Sequence, residues 1–326
     1  MSVLAGSSIL ITGGTGSLGK ALIAELLAHH DVRRLVIFSR DELKQFELRQ
    51  RYGDEPRLRW FLGDIRDKAR LARAFRGVDF VIHAAALKQV DTAEYNPFEF
   101  VATNVGGSQN VIDVAIDSGV KRVVALSTDK ASSPINLYGA TKLVGDRMFI
   151  SGNHYAGEAE TRFSVVRYGN VMGSRGSIVP VWEELARRGD ALPITDLRMT
   201  RFWITIQQAV KFVLDSFEIM SGGELYVPRI PSLRIVDLAE AIAPGARLAE
   251  IGIRPGEKLH EEMISLDDAR RTVMLDDRYV VMPHIAGWAY QPPLGAASVP
   301  EGFAYHSNTN DRWLDVNGIR ELLAKS

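Results

Sequence analysis

Ile9-Leu-Ile-Thr-Gly13-Gly-Thr-Gly16-Ser-Leu-Gly19-Lys20-Ala-Leu-Ile-Ala-Glu-Leu-Leu-Ala-His29 is the stretch whose reading decides the fold. Ile9 to Thr12 is a short apolar run of the kind that forms a buried strand, and from Lys20 to His29 the apolar residues recur at helical spacing. Between them lies a glycine-rich turn. Gly14-x-Gly16-x-x-Gly19, after a strand and opening a helix, is the pattern of a dinucleotide-binding turn. Its glycines let the backbone approach a pyrophosphate, whose charge the helix N-terminus favours. The same residues spell Gly14-x-x-x-x-Gly19-Lys20, but Ala21 stands where a P-loop needs Ser or Thr to hold magnesium. A nucleoside-triphosphatase reading therefore fails there.

The alternation continues outward from this turn. Strands are expected at Arg34–Phe38, Leu58–Leu62, Asp79–His83, Arg122–Ser127 and Phe163–Arg167, and helices at Asp41–Tyr52, Asp67–Phe75, Phe98–Asp117 and Tyr138–Ile150. Strands alternating with amphipathic helices imply right-handed crossovers and a parallel sheet covered on both faces. The expected fold class is α/β: a doubly wound parallel sheet of the Rossmann kind over residues 1–171, then a smaller C-terminal α/β region over 172–326 whose chain crosses back to the sheet. That second region shows helical patterns at Pro180–Arg188, Gln207–Met220 and Val236–Ala243, a strand at Glu224–Val227, and a Gly-, Pro- and Ala-rich loop at 286–302. Phe202 and Trp203 fall in an apolar strand and read as core.

Composition excludes several classes. The 326 residues are 46% hydrophobic and 24% charged with a formal net charge of −1, an ordinary globular balance without general attraction to nucleic acid or acidic membranes. Cysteine is absent, which removes disulfides, a thiol nucleophile and thiolate metal sites, and suits a reducing cytoplasm. The start lacks a basic flank, and no apolar run nears the ~20 residues of a membrane span. Seven histidines show no metal-ligand spacing, and no Gly-x-Ser-x-Gly elbow is present, so no metal and no serine-hydrolase chemistry is expected. The expected location is the cytoplasm.

Chemistry concentrates in Ser127-Thr-Asp-Lys-Ala-Ser-Ser-Pro-Ile-Asn-Leu-Tyr-Gly-Ala-Thr-Lys142. Tyr138 and Lys142, four apart on an expected helix, share one face. An ammonium near a phenol favours phenolate, so Tyr138 is expected to exchange a proton with a sugar or alcohol hydroxyl. Asp129 and Lys130, at the end of a strand, add an acid and an amine.

Together with Gly13-x-x-Gly16-x-x-Gly19, the Tyr138-x-x-x-Lys142 pair resembles the extended short-chain dehydrogenase/reductases. The resemblance implies cofactor contacts at Gly13, Thr15, Gly16, Ser17, Leu18, Gly19, Ser39, Arg40, Lys44, Asp64, Ile65, Ala84, Tyr138, Lys142 and Val171. The second strand ends Phe38-Ser39-Arg40, and an Arg there suits the 2′-phosphate of NADP, with Asp41 leaving NAD as the minority case. Gly63-Asp64-Ile65 looks like the adenine-contacting segment and His83-Ala-Ala-Ala86 like the turn under the nicotinamide ribose.

Thr128 occupies the position that bonds the substrate hydroxyl in that superfamily. An epimerase needs only hydride removal and return, whereas a 4,6-dehydratase also needs an acid and a base for elimination. Retaining glucose dehydratases carry Asp-Glu where this chain has Asp129-Lys130. The chain instead resembles the inverting UDP-N-acetylglucosamine 4,6-dehydratases that open the pseudaminic acid pathway, through Ser39-Arg-Asp-Glu-Leu-Lys44, Ala93-Glu-Tyr-Asn-Pro97, Leu192-Pro-Ile-Thr-Asp196, Arg198-Met-Thr-Arg-Phe-Trp203 and Gly252-Ile-Arg-Pro-Gly-Glu-Lys-Leu-His260. This likeness implies a lyase acting on UDP-N-acetylglucosamine with bound NADP, in a homo-oligomer. It assigns Thr128, Asp129, Lys130, Tyr138 and Lys142 to catalysis. Lys88, Ser127, Thr128, Asn170, Thr195, Arg201, Arg254 and Glu257 go to the substrate, with Arg175 a further candidate for the diphosphate. Lys130 is expected to remove the C5 proton after burial or neighbouring cations lower its pKa. Where the family has Lys-His-Val-Pro, this chain has Lys88-Gln89-Val90-Asp91, which leaves the exact hexosamine open. Alternatives are a retaining UDP-hexosamine dehydratase, a UDP-sugar 4-epimerase and a non-catalytic NADP sensor of the same fold. The full Thr128, Asp129, Tyr138 and Lys142 set argues against the sensor.

Overall fold

In the computed structural model, residues 2–173, 178–285, 287–288 and 290–324 are described. The apolar run at the start becomes β1 (Ser8–Thr12), flanked by β2 (Arg34–Ser39) on one side and β4 (Phe80–His83) on the other; β3 (Leu58–Leu62) forms the outer strand. Helices α1 (Ser17–His29), α2 (Glu42–Tyr52) and α3 (Lys68–Ala74) make the crossovers. Asp41 and Asp67 fix the starts of α2 and α3 by accepting the amides of Lys44 and Arg70, and so satisfy donors that a helix start leaves open.

Past β4 the chain forms α4 (Val90–Tyr95), α5 (Pro97–Phe100), a π-helical turn at Val101–Gly106 and α6 (Gly107–Asp117). The sequence pattern promised one helix over Phe98–Asp117 and nothing before it. Instead Pro97 starts a new segment, and the π turn carries Asn104, whose side chain donates to Leu87 O, accepts from Leu87 N and donates to Thr141 Oγ1. Widened turns of this kind recur at functional sites, and this one anchors the loop after β4.

β5 (Arg122–Thr128), a 3₁₀ turn at Asp129–Ala131, α7 (Leu137–Tyr155) and β6 (Arg162–Tyr168) complete the expected alternation. The second region contributes β7 (Asn170–Val171), α8 (Ile178–Arg188), β8 (Leu192–Ile194), β9 (Thr200–Ile204), α9 (Ile206–Ile219), β10 (Leu225–Pro228), β11 (Ser232–Arg234), α10 (Ile235–Ile242) and β12 (Leu248–Glu250). Then follow β13 (Glu262–Ile264), α11 (Leu266–Ala269), β14 (Thr272–Met274), β15 (Arg278–Val281), β16 (Ala297–Ser298), β17 (Tyr305–His306) and α12 (Val316–Ala324).

The large sheet has ten strands in the order β16-β14-β15-β10-β6-β5-β4-β1-β2-β3. From β3 to β10 the strands are parallel; β15, β14 and β16 continue antiparallel. Successive side chains leave opposite faces of a strand. Accordingly Leu10, Val36, Val81 and Val123 enter one core, and Ile9, Ile11, Ile37, Ile82 and Val124 the other. A third cluster, with Trp182, Ile194, Met199, Trp203, Leu238 and Ile319, holds the C-terminal lobe together. Phe202 and Trp203 are core residues as expected. Two covered faces and a parallel order make this a doubly wound α/β fold.

Candidate active site

The carboxyl ends of β1, β2, β4, β5 and β6 open onto one cavity of about 720 Å³, the place where ligands bind in open parallel sheets. Every residue expected to hold the cofactor or carry chemistry lines it, as do Lys88, Ser127 and Asn170. Gly13 has φ +67°, and a Cβ there would lie 2.8 Å from Ala85 N, so only glycine lets the first turn seat against the 84–86 turn. Gly16 stands at the cap of α1 with no side-chain cap bond, and the first turn holds no acidic residue. A helix N-terminus entered through glycines, with no acidic side chain against it, fits a dinucleotide pyrophosphate.

At the end of β2, Ser39 is buried and accepts from Gln45 Nε2 at 3.0 Å, while Arg40 stands exposed on the cavity rim. Asp41 accepts from Lys44 N at 3.0 Å and pairs with Lys44 Nζ. Its carboxylate is thus tied to α2. Asp64 receives Arg66 through Nε at 3.1 Å and Nη2 at 2.8 Å, with Arg40 at 3.9 Å. Burial raises the Asp64 carboxyl, but these cations and amides hold it below its ordinary value. Thr12 Oγ1 accepts from Ala84 N and Ala85 N, so its hydroxyl proton is available to His83 Nδ1 at 2.8 Å. His83 is fully buried and stays neutral: burial, then Lys142, lowers its pKa to about 3.

The reacting end is built from the β5 terminus and α7. Thr128 Oγ1 donates to Asp129 Oδ1 at 2.8 Å, and Lys130 Nζ approaches the same oxygen at 3.1 Å. Asp129 is 1% exposed, and its Oδ2 is buried without a partner. Asn136 caps α7 by accepting from Gly139 N at 2.7 Å. A Cβ on Gly139 would lie 2.1 Å from Lys130 O, so glycine is what brings α7 hard against the Asp129–Ala131 turn. Tyr138 and Lys142 of α7 are both buried.

Two electrostatic expectations are overturned. Burial pushes the Tyr138 phenol up to about 12, and the positive charge acting most strongly against that rise is Lys130 rather than Lys142. Lys142 Nζ is turned to Leu126 O at 2.7 Å. Lys130, expected to be lowered, is instead raised: burial pulls its ammonium down, but the carboxylates of Asp129 and Glu261 outweigh that pull.

Arg201 and Arg254, expected to grip the diphosphate, are not among the residues that line the cavity. Arg201 is buried; Nη1 donates to Thr200 O and Leu259 O, and Nη2 to Lys258 O at 3.0 Å and Glu257 Oε1 at 3.3 Å. Its donors are already committed, so it shapes the loop instead of presenting a free fork. Thr195 Oγ1 donates to Glu257 Oε2 at 3.3 Å, and Arg254 is exposed on the loop between β12 and β13. Arg175 lies outside the described residues. Among the described residues no group of acidic and histidine side chains is arranged to hold a metal, and no helix is long and apolar enough to cross a membrane.

Sequence reasoning missed Glu261, which is 2% exposed with Oε1 3.2 Å from Lys130 Nζ. It also missed the buried pair of Asp146 and Arg167 at 3.1 Å, whose carboxylate accepts from Ser127 Oγ at 2.7 Å. Glu261 was visible only as part of His260-Glu-Glu262, with no spacing to mark it.

Residues 9–283 match the family model described as polysaccharide biosynthesis protein. An inverting UDP-N-acetylglucosamine 4,6-dehydratase of Campylobacter jejuni is 50% identical over 98% of this chain and 97% of its own. The chain belongs to that dehydratase family. Among solved structures, Pen from Bacillus thuringiensis superposes with a TM-score of 0.90 at 35% identity over 99% of both chains. The dTDP-glucose 4,6-dehydratase DesIV of Streptomyces venezuelae, solved with NAD bound, gives a TM-score of 0.69 at 26% identity over 77% of this chain and 86% of its own. The expected fold and the expected enzyme class, a nucleotide-sugar dehydratase using a nicotinamide cofactor, are thereby borne out.

Proposed function

We propose that this chain removes water from UDP-N-acetylglucosamine with inversion at C5, giving a 6-deoxy-4-keto sugar, and that the cofactor is NADP. One observation carries the reading: Thr128, Asp129, Lys130 and Tyr138 converge on the cavity, with an amine and a carboxylate in direct contact at 3.1 Å. A 4-epimerase has no use for that pair. Support for NADP comes from Arg40 and Lys44 on the rim, together with an Asp41 carboxylate engaged by Lys44 and so poorly placed to receive a ribose hydroxyl.

The glycine turn after β1, with Arg40 and Lys44 on the rim, would hold NADP, which when bound would supply a reversible hydride acceptor and, in its oxidised form, a positive charge in the cavity. Tyr138, ionised to the phenolate that this positive charge and Lys130 favour, accepts the C4 hydroxyl proton and becomes the phenol, with Lys142 buried one turn behind it. The 4-keto group acidifies C5. One proton passing from Lys130 to Asp129 along their contact creates an amine and a carboxylic acid together, the base and the acid that elimination needs. Lys130 takes the C5 proton; Asp129 protonates the departing C6 hydroxyl, which leaves as water. C5 is then reprotonated from the opposite face. No net oxidation occurs, so the enzyme is a lyase. On family likeness the protein is also read as a cytoplasmic homo-oligomer whose product feeds pseudaminic acid synthesis.

The test is turnover of UDP-N-acetylglucosamine in deuterated water, followed by proton NMR. A C6 methyl with deuterium at an inverted C5 is expected, and Lys130→Ala should abolish it. Full turnover by that variant removes Lys130 from the chemistry, and an unchanged C6 in the native reaction removes the dehydratase reading.

A further inference from the structure

We propose that Glu261 is the positioning carboxylate behind Lys130, holding its amine in place and stabilising the ammonium that forms as the C5 proton arrives. This role rests on Lys130 being the C5 base, as set out above. Glu261 reaches the catalytic turn from the segment before β13, 131 residues away in sequence, and places Oε1 3.2 Å from Lys130 Nζ. Its own backbone is fixed, because Glu261 N donates to Ser307 Oγ at 2.9 Å. Arg201 Nε stands 3.6 Å from the same Oε1, and its remaining donors are held by backbone carbonyls and Glu257, so the guanidinium cannot swing away. A cation locked beside a buried carboxylate offsets the cost of burying that charge.

The arrangement is therefore a relay of fixed charges: Arg201, Glu261, Lys130, then the reacting carbon. It has the logic of a triad in which an acid orients and charges up a base without itself taking the proton. The nitrogen lone pair of Lys130 takes the C5 proton, the C–H electrons move toward the 4-keto group, and Glu261 remains a carboxylate. Asp129 cannot fill both posts, since its proton goes to the C6 hydroxyl. The second oxygens of the two carboxylates that contact the amine, Glu261 Oε2 and Asp129 Oδ2, are buried without hydrogen-bond partners. A buried carboxylate oxygen without a donor is costly and marks a site where structure serves function. The charged and titratable groups facing Lys130 are Asp129 from its own turn, the Tyr138 phenol from α7, Arg201 from β9, and Lys258 and Glu261 ahead of β13. Glu261 is the carboxylate on this list contributed by the C-terminal region.

Glu261→Gln separates this role from a structural one. Expected are a kcat lower by roughly tenfold or more, as befits partial loss of a general base, and an unchanged KM for the sugar nucleotide. A transient of reduced cofactor at 340 nm should still form, because C4 oxidation does not involve Glu261. The rising limb of the kcat/KM profile against pH, which reports a second proton binding to the Lys130–Asp129 pair, should move to lower pH by about 1–3 units, since a carboxylate that favours protons at that pair is gone. Glu261→Asp should restore most of the rate. A Gln variant with native kcat and an unmoved limb overturns the proposal, as does loss of the 340 nm transient together with melting at lower temperature. Lys130→Ala run alongside keeps the two levels apart. If it turns over normally, the mechanism itself falls; if it is inert while Glu261→Gln is native, only the role of Glu261 falls.

Discussion

Asp146→Asn should destabilise the protein more than its distance from the cavity surface suggests. Asp146 and Arg167 side chains are 4% and 2% exposed and 3.1 Å apart. The same carboxylate oxygen accepts from Ser127 Oγ at 2.7 Å, and Arg167 Nη1 donates to Met263 O at 2.9 Å, so the pair joins β5, α7, β6 and β13. Taking away the carboxylate charge leaves a guanidinium buried against a neutral amide, a loss of about 3–5 kcal/mol. With an unfolding entropy of about 2.1 cal/mol/K per residue, 326 residues give about 0.7 kcal/mol/K, and the melting temperature should fall by about 4–7 °C. Replacing both partners, in Asp146→Leu with Arg167→Met, removes the stranded charge and should cost less than either single change summed with the other. Differential scanning calorimetry of the two singles and the double measures this. Single variants that melt within about 1 °C of the native protein, or strictly additive losses, would refute the assignment of this pair as a buried, mutually dependent ion pair.

His83, with a folded pKa of about 3 against an ordinary 6.5, binds a proton in the unfolded chain that it refuses in the folded one. Its contribution is complete above pH 6.5 and is lost as pH falls toward 3, by on the order of 5 kcal/mol; chemical denaturation of His83→Gln across that window should show a flatter decline than the native protein. Arg40→Asp should weaken NADP binding by roughly ten- to a hundredfold while leaving NAD little affected, because it removes a 2′-phosphate partner. Fluorescence titration with each cofactor checks this, and equal losses for both would count against Arg40 as the discriminating residue.

Much of the fold was legible because its signals are local. The Ile9–His29 stretch, the apolar runs that became β2, β4, β5 and β6, and the helical spacing of α2 and α3 each declare themselves within a few positions. The helix α4 and the π turn did not, since Asn104 earns its place only through Leu87 and Thr141, contacts made after folding. The cavity-lining residues were found by motif. The electrostatics were not, because a pKa depends on neighbours that linear spacing does not reveal. Tyr138 and Lys142 do share a helix, yet Lys142 is turned to Leu126 O while Lys130, eight positions from the phenol, supplies the positive charge acting most strongly on it.

Arg201 shows the same limit from the other direction. Its motif pointed to phosphate, but a guanidinium recognises phosphate only with free donors in a planar fork. Here those donors end on three carbonyls and on Glu257, with Nε left toward Glu261. A lysine beside Asp129, where a carboxylate would add a second negative charge, changes the local charge by two. That exchange is tolerable in a buried site only if the charges still balance. Asp129 and Glu261 against Lys130 and Arg201 make two anions and two cations within contact distance of one another. The inverting chemistry assigned to Lys130 is thus a property of a four-residue cluster, half of it supplied by the C-terminal part of the chain.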